Sequence, residues 1–304
     1  LVSAGIATGV SVALAHAVTD VQGNPGNRPI DTTPSESGLP FHDVTFLAAI
    51  DRLTVSGWLI PRGGSETAVI MVPGGGLNRL NGNAAATLSV AALLQKQGHN
   101  VLLYDPRGTG RSECARCSYG QFEMRDLVGA MELLASRGIQ PQRTGVLAWS
   151  MGAATAMLAL ESVAFGALAV DSPLGRLSHK TVAMNAAHAM SLAGPSASAI
   201  ALAVRSGGFL AARALWGMNL HRDPAEALRL RPVPTLVIHG MADSQLPVEA
   251  AREVAAAAGD ALVGAHFLEG VGHIGAYSWD PVWYLRTVCG FFRDSLAASQ
   301  TGQR

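Results

Sequence analysis

The chain has no surplus of either charge: lysine plus arginine and aspartate plus glutamate each number 22. That balance removes the electrostatic attraction by which nucleic acid or an anionic surface would be recruited. Charge of any sign is scarce, at 14% of residues against roughly 25% in ordinary soluble domains. Mean hydropathy is positive, at +0.25. Cysteine is almost missing, with Cys114, Cys117 and Cys289 alone. The first two form one C-x-x-C, without the second pair that a zinc site requires. They lie in a loop instead of opening a helix after a strand, so a thioredoxin-like pair is not indicated. In an exported protein they would suit a small disulfide clasp, and in a cytoplasmic one they would be two free thiols. Cys289 falls in an apolar helical pattern and reads as packing. No metal site is expected. The glycine run Pro73-Gly74-Gly75-Gly76 is followed by no Lys-Ser/Thr pair and has no G-x-G-x-x-G spacing, so it is no phosphate cradle.

Charge is also missing from the start of the chain, where the first charged residue is Asp20. Val2 to Val18 is apolar or small except for His16, and Asp20 to Pro40 is rich in Gly, Pro, Asn, Ser and Thr. Residues 1–18 read as a hydrophobic signal or membrane anchor and 19–40 as a linker. Ala15-His16-Ala17 would suit signal peptidase, and a buried helix is the alternative. A membrane-anchored or exported location is therefore expected, with a cytoplasmic one as the alternative. Residues 41–298 form the expected catalytic domain and 299–304 a tail.

Within that domain apolar strands alternate with helical spacing. Val44 to Ala49 and Leu53 to Ile60 suggest a hairpin about Asp51-Arg52. Strands are predicted at Ala68 to Val72, Asn100 to Tyr104, Gly145 to Trp149, Ala167 to Val170, Leu236 to Ile238 and Ala261 to Leu268. Helices are predicted at Ala84 to Gln97, Phe122 to Ser136, Met151 to Glu161, Val248 to Ala258 and Val282 to Leu296. Continuously apolar central strands belong to a parallel sheet covered on both faces, an α/β fold. The alternation stops between Asp171 and Arg231. That insertion holds Met184, Met190, Phe209, Leu215, Trp216 and Met218 among many alanines, and reads as a helical lid at about 173–230.

Chemistry is indicated where the third of these inner strands ends, at Ala148-Trp149-Ser150-Met151-Gly152. A strand feeding a sharp turn into a helix through a serine flanked by small residues is a nucleophile elbow, usually G-x-S-x-G. Acyl transfer by serine needs a base, and a carboxylate to orient it. In this arrangement they follow in the order serine, acid, histidine. His239-Gly240-Met241-Ala242-Asp243 places a carboxylate after one strand, and Glu269-Gly270-Val271-Gly272-His273 a histidine after the next. Asp171 also ends a strand and is the rival acid. Donors for a developing oxyanion are expected from the backbone N–H of Met151 and of Gly75, with Gly76 as second choice. The loop Asp105-Pro106-Arg107-Gly108-Thr109-Gly110-Arg111-Ser112 reads as scaffold.

The elbow, the Asp105-x-Arg107-Gly108-x-Gly110-x-Ser112 loop, the His239-Gly240-x-x-Asp243 step and Gly272-His273 together resemble the serine α/β-hydrolase family from Phe41 to Phe292. Gly57-Trp58-Leu59-x-Pro61 and Asp171-Ser172-Pro173 resemble a subgroup with an N-terminal membrane segment. The resemblance implies an eight-stranded, mostly parallel sheet, helices on both faces, and a helical cap inserted after the sixth strand. It also implies ester-type hydrolysis without a cofactor, and the apolar composition of the lid segment suggests a small-molecule ester with an apolar acyl group as substrate. A peptidase or thioesterase on the same triad, or a non-catalytic membrane-anchored binding protein, are the alternatives. Ala148 departs from the usual elbow glycine, and Pro73 from the histidine that commonly precedes the oxyanion glycine.

Overall fold

A computed structural model describes residues 29–176, 209–219 and 222–301. The segment read as a signal or anchor, and most of the segment read as a lid, lie outside the described residues. Among the described residues no helix is long and apolar enough to cross a membrane.

Eight strands form one sheet: β1 (His42–Leu47), β2 (Thr54–Ile60), β3 (Ala68–Val72), β4 (Asn100–Tyr104), β5 (Thr144–Trp149), β6 (Ala167–Asp171), β7 (Thr235–Gly240) and β8 (Leu262–Leu268). Their spatial order is β1-β2-β4-β3-β5-β6-β7-β8. Both pairings of β2 are antiparallel, and all the others are parallel. The predicted eight-stranded, mostly parallel sheet is thus present.

The inner strands have no polar face because both faces are covered. Ile70, Val72, Val146, Ala148, Leu168, Val170 and Val237 point into one apolar core. Their alternating neighbours Val69, Met71, Leu147, Trp149, Ala169, Leu236 and Ile238 point into the other. Strand period two therefore divides the residues between the cores. The first is closed by α2 (Glu123–Ser136), α3 (Met151–Ala159) and α6 (Val248–Ala258). The second is closed by α1 (Ala84–Lys96) and the long α8 (Pro281–Thr301).

Among the described residues two further helices lie in the segment between β6 and β7, α4 (Phe209–Trp216) and α5 (Pro224–Leu230), and the short α7 (Ala276–Trp279) precedes α8. Helix α5 falls inside the range read as lid, yet Ala225 and Leu228 are buried in the first core against α3 and α6. The main layer thus resumes at Pro224, where Asp223 caps the helix by accepting from the Ala225 N–H at 3.1 Å.

The loop after β4 is held by buried ion pairs. Asp105 accepts from Arg79 Nη2 at 2.7 Å with both side chains fully buried. Arg107 bridges Asp126 at 2.7 Å and Asp51 at 2.6 Å. Gly110 tolerates no larger residue there, since a Cβ would lie 2.2 Å from Asp105 Oδ2.

Candidate active site

The parallel strands β3, β5, β6 and β7 end on the same edge of the sheet, where loops at their carboxyl ends converge. Ser150 alone separates β5 from α3, so the chain must reverse through one residue. It does so at φ +51° and ψ −117°, a conformation that costs a residue with a Cβ on the order of 1–3 kcal/mol. Neighbouring hydrogen bonds hold it there. The Ser150 N–H donates to the Asp171 carbonyl at 3.0 Å, and its carbonyl accepts from Leu174 N–H at 3.0 Å. The small residue at 152 is a geometric requirement, because a Cβ on Gly152 would sit 2.5 Å from the carbonyl oxygens of Val72 and Pro73. Ala148, where glycine is usual, is fully buried in the first core beside Val72 and Val170, so a methyl group fits at that position.

Asp243 and His273 are carried by adjacent loops that are laced together. Ala242 N–H donates to the Val271 carbonyl at 2.9 Å, and Met241 N–H to Leu268 at 2.8 Å. Gly240 allows this approach, since a Cβ there would meet the Val271 oxygen at 2.2 Å. His273 then lies between the other two side chains, with Nδ1 at 2.7 Å from Asp243 Oδ2 and Nε2 at 2.9 Å from Ser150 Oγ. The other Asp243 oxygen accepts from the backbone N–H groups of Gln245 at 2.8 Å and Leu246 at 2.9 Å.

Electrostatics fix which atoms carry protons. Burial pushes the Asp243 carboxyl up, but the hydrogen bond and charge of His273 and the two backbone donors outweigh it, leaving the group below its ordinary range. An ionised Asp243 only accepts, so His273 Nδ1 carries the proton and Nε2 accepts from the Ser150 hydroxyl. His239 Nε2 lies 3.7 Å from Asp243 Oδ2 with its side chain fully buried. Burial holds that imidazole below its usual pKa although Asp243 opposes the shift.

The glycine loop after β3 lies against the nucleophile. A Cβ on Gly74 would sit 3.5 Å from Ser150 Cβ, and one on Gly75 would sit 3.2 Å from Met151 Sδ. Gly74 N–H is already used, donating to Asn81 Oδ1 at 2.9 Å. The N–H groups of Gly75 and Met151 have no acceptor among the described residues. Met151 opens α3, so its N–H belongs to the first turn, which has no intrahelical partner.

Asp171, the rival acid, is brought to the same edge but turned elsewhere. Its Oδ1 accepts from Ser172 Oγ at 3.1 Å. Burial pushes this carboxyl up to about 6, against the hydroxyls of Ser172 and Tyr284 and the charge of His273. Cys117 is half-buried with Sγ 3.4 Å from Met151 Sδ, and Cys114 is exposed; no disulfide joins them. Cys289 is buried in α8. No group of three His, Cys, Asp or Glu that would hold a metal occurs among the described residues.

Two polar contributors were not assigned a role by the sequence reading. Asn81 belongs to the asparagine-rich turn Asn78 to Asn83, a composition that signals side-chain-to-backbone bonding. Ser172 stands in the sequence within Asp171-Ser172-Pro173, and its partner lies 102 residues away.

Comparison with known proteins places this geometry in a family. A curated relative, the polyketide transferase grgF of Penicillium sp., is 40% identical over 77 residues, which cover 25% of this chain and 24% of that protein. The chain thus matches about a quarter of the length of that relative. Among solved structures, the esterase Pf2001 of Pyrococcus furiosus is similar with a TM-score of 0.70 at 21% identity, over 90% of this chain and 100% of that one. The alpha/beta hydrolase GrgF from Penicillium sp. sh18 is similar with a TM-score of 0.63 at 18% identity, over 85% and 100%. The esterase RhEst1 from Rhodococcus sp. ECU1013 is similar with a TM-score of 0.60 at 18% identity, over 83% and 99%. At these identities the likeness to solved structures is one of fold. A model of the alpha/beta hydrolase family matches residues 69–286, more than half of the sequence, and the chain belongs to that family.

Proposed function

We propose that the protein is a serine hydrolase of carboxylic esters, using Ser150 as nucleophile, His273 as base and Asp243 as the acid that orients it. The observation that carries this reading is the unbroken hydrogen-bonded chain from Ser150 Oγ through His273 to Asp243. Ser150 Oγ attacks the ester carbonyl carbon while His273 Nε2 takes its proton. The carbonyl oxygen becomes an oxyanion that accepts from the N–H groups of Gly75 and Met151, each worth about 3–4 kcal/mol of transition-state stabilisation. The tetrahedral intermediate expels the alcohol, which leaves with the proton from Nε2. Water, deprotonated by the same nitrogen, then attacks the acyl carbon and frees Ser150.

An apolar acyl group is supported by the surroundings of the nucleophile. Met151, Ala154, Leu174 and Leu246 form a buried apolar cluster, with Cys117 and Tyr119 packed against it. Such a lining gains from burying methylenes, at about 0.8 kcal/mol each. A membrane-anchored or exported location, as in the subgroup with an N-terminal membrane segment, is part of this proposal and rests on the composition of residues 1–18.

The test is a fluorophosphonate, applied to the wild type and to Ser150→Ala, with the adduct located by mass spectrometry. An adduct on Ser150 is expected, lost in Ser150→Ala and weakened in His273→Ala. Turnover of p-nitrophenyl esters should then rise with acyl length and exceed that of matched thioesters and anilides. Absence of any adduct in folded protein would overturn the hydrolase reading and favour a binding protein. Faster turnover of the thioester or anilide would shift the substrate class.

A further inference from the structure

We propose that Ser172 is a positioning residue for the base, its hydroxyl fixing the loop that carries His273 in line with Ser150; the inference rests on the hydrolase reading above. The Ser172 side chain is buried. Its Oγ accepts from the backbone N–H of Ile274 at 2.9 Å, and Ile274 is bonded directly to His273. An amide N–H only donates, so the Ser172 hydroxyl proton is free to point elsewhere, and Asp171 Oδ1 at 3.1 Å receives it. The hydroxyl is thereby engaged on both sides.

The same short stretch grips the nucleophile. The Asp171 carbonyl takes the Ser150 N–H at 3.0 Å, and Leu174 N–H donates to the Ser150 carbonyl at 3.0 Å. Ser172 N–H is bonded to the Ile238 carbonyl of β7 at 2.9 Å. Residues 171–174 therefore link the nucleophile, the base loop and the strand that leads to Asp243. Both ends of the link are unusual in backbone: Ser172 has φ +51° and Ile274 has φ +52°. A branched residue such as isoleucine is disfavoured there and stays only where surrounding bonds over-determine it. The hydroxyl supplies one of those bonds next to the imidazole. This also gives the buried Asp171 carboxyl a task, which is to hold the hydroxyl so that its lone pair faces Ile274.

The test uses the whole protein carrying Ser172→Ala or Ser172→Cys, with Thr235→Val as a control. Thr235 is buried and its hydroxyl donates to the Val233 carbonyl at 2.6 Å, at the opposite end of β7 from the site. Active sites are counted by fluorophosphonate titration, so kcat refers to competent molecules only. Ser172→Ala is expected to lower kcat per titrated site by about 10–100-fold, the range for a small misplacement of a reacting group, with KM little changed. The Ile274 amide should exchange its hydrogen faster in that variant. Ser172→Cys, with a weaker donor and acceptor of similar shape, should recover part of the loss. Thr235→Val should lose thermal stability and keep kcat. Loss of melting temperature or titre in Ser172→Ala with unchanged kcat per site would make the residue merely structural and overturn the proposal. A wild type that neither labels nor turns over would instead overturn the hydrolase reading on which it rests.

Discussion

Replacing Asp243 by asparagine keeps the shape of the side chain and should nevertheless disable the base. The reason lies in the two oxygens having different partners. One accepts from the backbone N–H groups of Gln245 and Leu246, the other from His273 Nδ1. In Asp243→Asn the amide oxygen must stay with the two backbone donors, since an NH2 group facing them would leave both unpaired. The NH2 then faces His273 and donates to Nδ1. The imidazole proton is forced onto Nε2, which now points a hydrogen at Ser150 Oγ and accepts nothing from it. The same swap in a Ser-His-Asp triad lowers kcat by about 10⁴ while leaving geometry intact, or about 5 kcal/mol at 1.36 kcal/mol per tenfold. Asp243→Ala should reverse the ranking. It leaves the tautomer unbiased and retains more activity, but it strips two buried N–H groups of their acceptor at about 1–3 kcal/mol. Steady-state kinetics on a p-nitrophenyl ester, with thermal melts alongside, compare the pair. Asparagine should be worse in kcat and alanine worse in melting temperature. Retention of a tenth or more of wild-type kcat by Asp243→Asn would refute the tautomer argument.

Asp171→Asn should stabilise the protein in a pH-dependent way. The wild-type carboxyl titrates at about 6, above its ordinary 3.8, because burial disfavours its charge. Folded protein therefore holds this proton more tightly than unfolded chain, and stability falls as pH rises from about 4 to about 6, by about 2–3 kcal/mol in all. Denaturant melts should show the variant ahead at pH 7.5 and level near pH 4; a gap independent of pH would count against the buried charge. Gly152→Ala forces a methyl carbon to within 2.5 Å of two carbonyl oxygens. It should cost about 1–3 kcal/mol and slow fluorophosphonate labelling, and a variant with wild-type melting and labelling would show that the elbow has slack. Arg79→Leu leaves Asp105 charged and buried without its guanidinium. Breaking such a pair costs about 3–5 kcal/mol, much of which should return in the double variant Arg79→Leu/Asp105→Asn; equal melting of the two would mean that the stranded charge is not the cause.

The fold was legible because its signals are local. Ala68–Val72 is continuously apolar and Asn100–Tyr104 is so from Val101 on, and turn residues bracket them, so their limits are readable without knowing what they pack on. Gly152 was legible for a related reason, since steric demands at a one-residue turn leave a trace at a fixed offset. Helix α5 was not assigned to the main layer, because Ala225 and Leu228 look the same whether they face a lid or a core. Asn81 and Ser172 escaped for a different reason. Each holds a backbone N–H, Gly74 in one case and Ile274 in the other. A backbone amide has no residue type, so no pairing of side chains in the sequence reveals what these two residues hold.

The two acidic strand ends show how far order along the chain can be taken. Asp171 ends β6 and Asp243 follows β7 at this edge of the sheet, and order along the chain favours Asp243 while keeping Asp171 as its rival. What separates them in the structure is their partners, His273 first and then the backbone donors. Asp243 is held down by the hydrogen bond and charge of His273 and, behind them, by two N–H groups from the turn before α6, so burial does not neutralise it and it faces His273 as an anion. Asp171 has no backbone donor beside the Ser172 and Tyr284 hydroxyls and is pushed up to about 6 by burial. An acid that is partly protonated near neutral pH would stabilise an imidazolium poorly, whereas one that orients a serine hydroxyl needs only a lone pair. The acid role proposed for Asp243 and the supporting role proposed for Asp171 thus rest on the partners each carboxyl is given. Moving those donors should move the roles: Gln245→Pro deletes one N–H on Asp243 and should raise the carboxyl's pKa. The acid limb of kcat should then shift to higher pH, and an unmoved limb in a folded variant would break the link between donor count and role.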